Sequence, residues 1–168
     1  MKKIGALLVM ITFCLNVSGC INSDDKDEKL EFPMIVTVFP VGTTDESYLI
    51  ILSEDGTIET LLGTRKKIQM DESEYGNNTA DWFTIVEATE KCELEPKEIK
   101  TINDLLNNIS FSELQSQRTE VWDSWEKMLI FNSKAYYRYS WVDDDALTKL
   151  IDQIIEYSPI QVDIHGWS

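Results

Sequence analysis

The chain has 168 residues, 43% of them hydrophobic and 27% charged, a composition that fits a single folded domain and excludes a disordered or fibrous chain. Fifteen Lys and Arg against thirty Asp and Glu leave a formal net charge of −15. That balance excludes nucleic acid as a partner, because a phosphate backbone is held by a basic footprint.

Lys2 and Lys3 open the chain. The stretch from Ile4 to Leu15 is then apolar with only Gly5 and Thr12 interrupting it, and Val17-Ser18-Gly19-Cys20 follows. A short positive start, an apolar run and small residues form a signal-peptide pattern. At about 1.5 Å per helical residue the run covers roughly 18 Å, well short of a hydrocarbon core of about 30 Å, so the expectation is a signal peptide and not a spanning helix. No later run is long enough to span.

Val17, Ser18, Gly19 and Cys20 resemble the lipobox of bacterial lipoproteins, in which an aliphatic residue, two small residues and a cysteine end the signal. The resemblance covers residues 1–20 only. It implies that residues 1–19 are removed and that Cys20 becomes the first mature residue. A diacylglyceryl group on Cys20 would then hold the protein to the lipid bilayer at the outer face of the bacterial cytoplasmic membrane. Two acyl chains give a stable attachment where one holds only marginally, since each buried methylene contributes about 0.8 kcal/mol. Cys14 would leave with the signal and Cys20 would be alkylated, so Cys92 is the remaining thiol and no internal disulfide forms. The expectation for Cys92 is a small buried hydrophobe, against the alternative of a reactive thiol or an intermolecular partner.

Residues 20–31 comprise the lipidated cysteine and a polar, charge-dense stretch, Ile21 to Glu31, that can bury almost nothing and is expected to stay disordered. As a tether it would reach roughly 36 Å extended and about 18 Å as a flexible coil. Asp24, Asp25, Asp27 and Glu28 lack the ligand spacing of a calcium loop and are read as solvated tether charge.

The folded domain is expected over residues 32–168. Met34 to Phe39, Ser47 to Ser53 and Thr57 to Leu62 are β-rich, and Glu54-Asp55-Gly56 joins the second and third into a hairpin, with the glycine free to take a positive φ. Arg65 to Thr79 reads as a polar loop, and Asp81 to Lys91 resumes strand character. Pro96 then opens a helix whose Ile99, Ile102, Leu105, Leu106 and Ile109 share one face. Ser110 to Glu113 has the form of a capping box, expected to begin a short further turn that carries Phe111 and Leu114.

Trp125 to Phe131 and Lys134 to Trp141 flank Asn132-Ser133 as a second, aromatic hairpin. Asp143-Asp144-Asp145 opens a second helix, with acids where the helix dipole favours them, and Ala146, Leu147, Leu150, Ile151, Ile154 and Ile155 form its apolar face. Beyond Pro159, the alternation of Ile160, Val162 and Ile164 predicts a final strand. The fold class is α+β: a single antiparallel sheet built from hairpins, with two amphipathic helices on one face.

Chemistry is harder to find. His165 is the only histidine, so a multi-imidazole metal site and a serine relay elsewhere both lack their parts, and its place at the carboxyl end suits neither. No phosphate loop, dinucleotide turn, zinc-spaced cysteines or nucleophile elbow is present. No catalytic residue, cofactor or metal site is therefore assigned. The aromatic set around residues 122–141 offers recognition area. Tyr137, Tyr139 and Trp141 are expected in the core under the second helix, which leaves Trp122, Tyr136 and Arg138 as the candidate binding surface. The function expected is a membrane-anchored extracytoplasmic lipoprotein that binds a protein or peptide partner through an uncovered sheet face or edge. The alternative is a cell-envelope hydrolase using paired carboxylates.

Overall fold

The computed structural model describes residues 33–67, 79–115, 124–139 and 145–165. The signal, lipobox and tether expectations, Trp122, the acids at 143 and 144, and positions 68–78 of the expected loop lie outside the described residues. Six strands form one antiparallel sheet: β1 (Met34–Pro40), β2 (Ser47–Leu52), β3 (Thr57–Arg65), β4 (Phe83–Glu93), β5 (Trp125–Phe131) and β6 (Lys134–Tyr139). Their spatial order is β4-β3-β2-β1-β5-β6. Helix α1 (Pro96–Asn107) follows β4, and α2 (Ala146–Glu156) follows β6. The architecture is α+β.

The centre of the sheet falls where the sequence is apolar without alternation. β1 reads MIVTVFP and is buried on nearly every residue, and β5 is buried throughout, as expected of strands covered on both faces. Gly56 turns the chain between β2 and β3 at φ +83°, a conformation open to glycine at little cost. The Asp55 carboxylate accepts from the Thr57 amide at 2.9 Å. Between β5 and β6, Asn132 and Ser133 both take positive φ, 51° and 61°, the pair of left-handed residues that a two-residue turn matched to strand twist requires.

Helix α1 begins on its proline, and the Glu98 carboxylate reaches back to accept from the Glu95 amide at 2.8 Å. The reciprocal cap thus sits at Glu95. At Ser110 the chain makes a turn, closed by the Glu113 amide on the Ser110 carbonyl at 2.9 Å, and residues 111–115 are not helical. For α2 the Asp145 carboxylate caps, accepting from the Thr148 amide at 2.7 Å.

Two apolar clusters fill the protein. One joins Ile102 and Leu106 of α1 and Leu147, Leu150, Ile151 and Ile154 of α2 to Val36, Ile50, Leu129 and Tyr136 of the sheet. The other gathers Phe39, Leu49, Met128, Ile130 and Tyr137 with Trp82 and Phe83. This reverses the expected facing of β6. Tyr136 packs with the helices, and Tyr137 lies in the other cluster. The cause is register: Tyr136 stands opposite Leu129 and Tyr137 opposite Met128, and a side-chain period of two sends each with its neighbour.

The expected final strand does not form. Residues 158–165 carry no strand assignment; instead they cross the helix-side surface of the sheet. Ser158 Oγ lies 2.8 Å from Thr60 Oγ1, the Asp163 amide donates to Tyr48 Oη at 3.3 Å, and Trp125 Nε1 donates to the His165 carbonyl at 2.7 Å. Contact thus passes from β3 to β2 to β5, over the strands and not along an edge. Ile160 and Val162 pack on the core, so the alternation reflects one buried side without a ladder.

Candidate functional site

Arg138 and Tyr136, expected on an exposed surface, are interior residues. Tyr136 is 6% exposed and Arg138 2%. The Tyr136 ring lies 5.3 Å from that of Phe111, centroid to centroid. The Arg138 guanidinium donates to Asp145 Oδ2 from both Nε and Nη2 at 2.8 Å, and from Nη1 to the carbonyls of Gln115 at 3.0 Å and Tyr137 at 2.7 Å. Burial raises the Asp145 carboxyl, but the Thr148 amide and the Arg138 guanidinium outweigh it and hold the group below its ordinary value. These residues form a structural junction between β6 and α2.

On the other side of the sheet, Arg65 is a residue that the sequence placed in a loop. It ends β3 and is 5% exposed. Its Nε donates to Ser47 Oγ at 2.9 Å and its Nη2 to the carbonyls of Pro40 at 3.1 Å and Thr43 at 2.9 Å. The guanidinium carbon stands 4.1 Å from the centre of the Phe39 ring, a cation–π geometry. Arg65 thereby ties the 40–47 connection to the end of β3. Around it Thr37, Phe39, Ser47, Tyr48, Trp82 and Phe83 line a cavity of about 10 Å³, room for about one water molecule. No carboxylate lines it, so it offers nothing to acid–base hydrolysis by paired acids. Thr37 Oγ1 is buried there without a hydrogen-bond partner. No group of three or more His, Cys, Asp or Glu able to hold a metal occurs among the described residues.

His165 stands beside the ring of Trp125, edge to face at 5.4 Å. Its Nε2 is 3.5 Å from Glu46 and its Nδ1 3.8 Å from Asp163. No nucleophile is among these contacts. The imidazole closes the carboxyl-terminal strap.

The surface that stands apart is β4. It ends the sheet, and from Thr84 to Glu93 all its side chains are exposed except the half-buried Ala88. Ile85 is 56% and Val86 46% exposed, two of the three large exposed apolar residues among the described residues. Its pairing with β3 is irregular near its start, with register shifts between Leu62 and Gly63 and between Thr64 and Arg65, and regular from Ala88 to Glu93, opposite Leu62 to Thr57. Bulges of this kind bend a strand and interrupt its ladder. Cys92 lies in the regular part and is exposed, contrary to the buried position expected. Residual burial, with the Glu98 charge, holds its thiol above the ordinary value, which disfavours the nucleophilic thiolate.

Sequence reasoning took β4 for an ordinary strand. The available signal was the spacing of Glu87, Glu90, Lys91 and Glu93, charges on both sides of one strand, which a covered strand does not carry. No helix among the described residues is long and apolar enough to cross a membrane. No protein-family model matches the chain, no curated protein matches it, and no solved structure matches it.

Proposed function

We infer that this chain is an extracytoplasmic lipoprotein, held to the membrane through a diacylglyceryl group on Cys20, whose domain binds a protein or peptide partner and performs no chemistry of its own. In this reading the sheet is built from hairpins, both helices cover one face, and the contact is made by the uncovered edge. The observation that carries it is β4, which ends the sheet and exposes nine of its ten side chains from Thr84 to Glu93. An edge strand turns every second N–H and C=O outward, where another strand can pair with them, and β4 is the longest strand of the sheet. The lipobox-like residues 17–20 and the charge-dense stretch after them support the placement, since a tether of roughly 18 Å average reach holds a domain clear of the headgroups.

Two measurements test the two halves of the reading. Labelled fatty acid fed to cells is expected on the wild-type chain and lost from Cys20→Ala; label retained by the variant removes the anchor. For the contact, a photo-crosslinking residue at Thr89 on β4 is compared with one at the exposed Lys149 on α2. Adducts in intact cells are expected from Thr89. Adducts from Lys149 alone would move the contact to the helices.

A further inference from the structure

We propose that the regular part of β4, Ala88–Glu93, takes up an extended segment of a partner protein as a seventh, antiparallel strand, and that this segment carries Lys or Arg beside its β-forming residues. The proposal rests on the interaction reading above and names its partner's chemistry.

Three features of β4 carry it. The first is position. β4 is last in the sheet order, and an edge strand turns every second N–H and C=O outward, so six regular residues offer about six backbone hydrogen bonds to an added strand. The second is register. The shifts at Gly63 and Arg65 lie opposite Phe83 to Val86, so the part of the edge with uninterrupted geometry begins at Ala88. There the side chains stand out on both faces, with Glu90 and Cys92 opposite Thr60 and Ile58, and Thr89, Lys91 and Glu93 opposite Leu61, Glu59 and Thr57. An incoming strand therefore meets side chains above and below the sheet.

The third feature is charge, and it chooses the occupant. Glu87, Glu90 and Glu93 are exposed, whereas the one cation of the strand, Lys91, is drawn to Glu59 at 3.0 Å. Opposite charges placed across an antiparallel pair stabilise it and like charges destabilise it. A basic strand gains at each glutamate. For a second copy the pairs are mixed: two-fold pairing centred on Glu90 or Lys91 sets like charges together, whereas centring on Thr89 or Cys92 sets Lys91 against Glu87 or Glu93, so the overall charge is what disfavours it. Each copy also brings a net charge of −15, which opposes approach.

The test uses the full chain in detergent micelles, isotope-labelled, with amide hydrogen exchange read residue by residue. The probe is an end-blocked nine-residue peptide, Lys-Val-Val-Lys-Thr-Val-Lys-Val-Val, whose Lys spacing of three matches Glu90 and Glu93 on the two faces of β4. Its controls are the same peptide with Pro for the central Thr, and a version with Glu for every Lys. The basic peptide is expected to slow exchange of alternate amides between residues 88 and 93 at least tenfold, and neither control to do so. In the triple variant Glu87→Lys, Glu90→Lys, Glu93→Lys, whose changes are on the surface and whose fold is checked by circular dichroism, the preference is expected to pass to the Glu peptide. A basic peptide that leaves these amides unchanged, a proline control that protects equally, or a triple variant that keeps its preference for Lys overturns the proposal. So does protection that appears without peptide as protein concentration rises, which assigns the edge to a second copy. Cellular crosslinks at Thr89 together with a failed basic peptide would overturn the basic strand while leaving the interaction reading in place.

Discussion

Arg138 is tolerated in the interior because Asp145 meets it with paired hydrogen bonds and two carbonyls accept from its remaining donors. Removing one partner from such a pair strands a buried charge, which costs about 3–5 kcal/mol, whereas replacing the pair by apolar groups costs much less. Asp145 also caps α2, a role worth about 1 kcal/mol. Asp145→Ala is therefore expected to lower unfolding stability by about 3 kcal/mol or more in urea titration, and Asp145→Ala with Arg138→Met to recover part of the loss. The pH dependence has a definite sign. The folded carboxyl titrates below its ordinary value of 3.8, so its contribution is complete above that value and is lost as pH falls through the lower folded one. The gap in urea midpoint between wild type and Asp145→Asn is expected to be constant from pH 7 to about pH 5 and to close below about pH 4. Thr37 presents the opposite case, a buried hydroxyl with no partner. Thr37→Val keeps the shape and removes the unpaired group, and a gain of about 1 kcal/mol in urea stability is expected.

Among the described residues β4 pairs with β3 alone, so its attachment depends on the close approach of β3. Gly63 makes that approach: a Cβ there would run into the Ile85 carbonyl oxygen and press on the Phe83 ring. Gly63→Ala is expected to cost about 2 kcal/mol, in the range of overpacked sites, and to speed amide exchange in β4 well before exchange in β1 or β5 changes. Equal acceleration throughout the sheet would mean that β4 does not open as a separate unit. The strands and helices were legible in the sequence because each has a local cause: the β-branched runs of β1 and β2, Gly56 and Asn132-Ser133 at the turns, Pro96 and Asp145 at the helix starts. The carboxyl-terminal strap was not, since alternation at Ile160, Val162 and Ile164 is the same whether the chain pairs with a strand or lies across one. The cap at Glu95 was overlooked because glutamate is not the usual residue there.

The whole molecule carries a net charge of −15, and self-repulsion of that size works against the folded state. Added salt screens it, with a Debye length of about 10 Å at 0.1 M falling to about 3 Å at 1 M. The thermal midpoint is expected to rise as sodium chloride is taken from low concentration to about 0.3 M; a midpoint that falls would mean that favourable ion pairs such as Lys91–Glu59 outweigh the repulsion. The same charge bears on the candidate site, for an acidic domain attracts the basic strand proposed for β4 and repels its own copies. The choice of edge is also a property of the whole. β4 and β6 both end the sheet, but the residues of β6 from Ala135 to Arg138 are buried, whereas β4 exposes its side chains from Thr84 to Glu93 except at Ala88.

The sequence by itself determined the α+β class and carries an amino-terminal pattern similar to that of lipoproteins, and it marked where most strands and both helices begin, because these rest on residues adjacent in the chain or repeating at the period of one element. Only the tertiary structure decided which way β6 faces, that Arg65 and Arg138 are interior, that Cys92 is exposed and that β4 is an edge. Each of these depends on which strand lies beside which and in what register, and that is fixed largely by contacts between residues far apart in the chain, such as Met128 with Thr37, whose consequences no local pattern records.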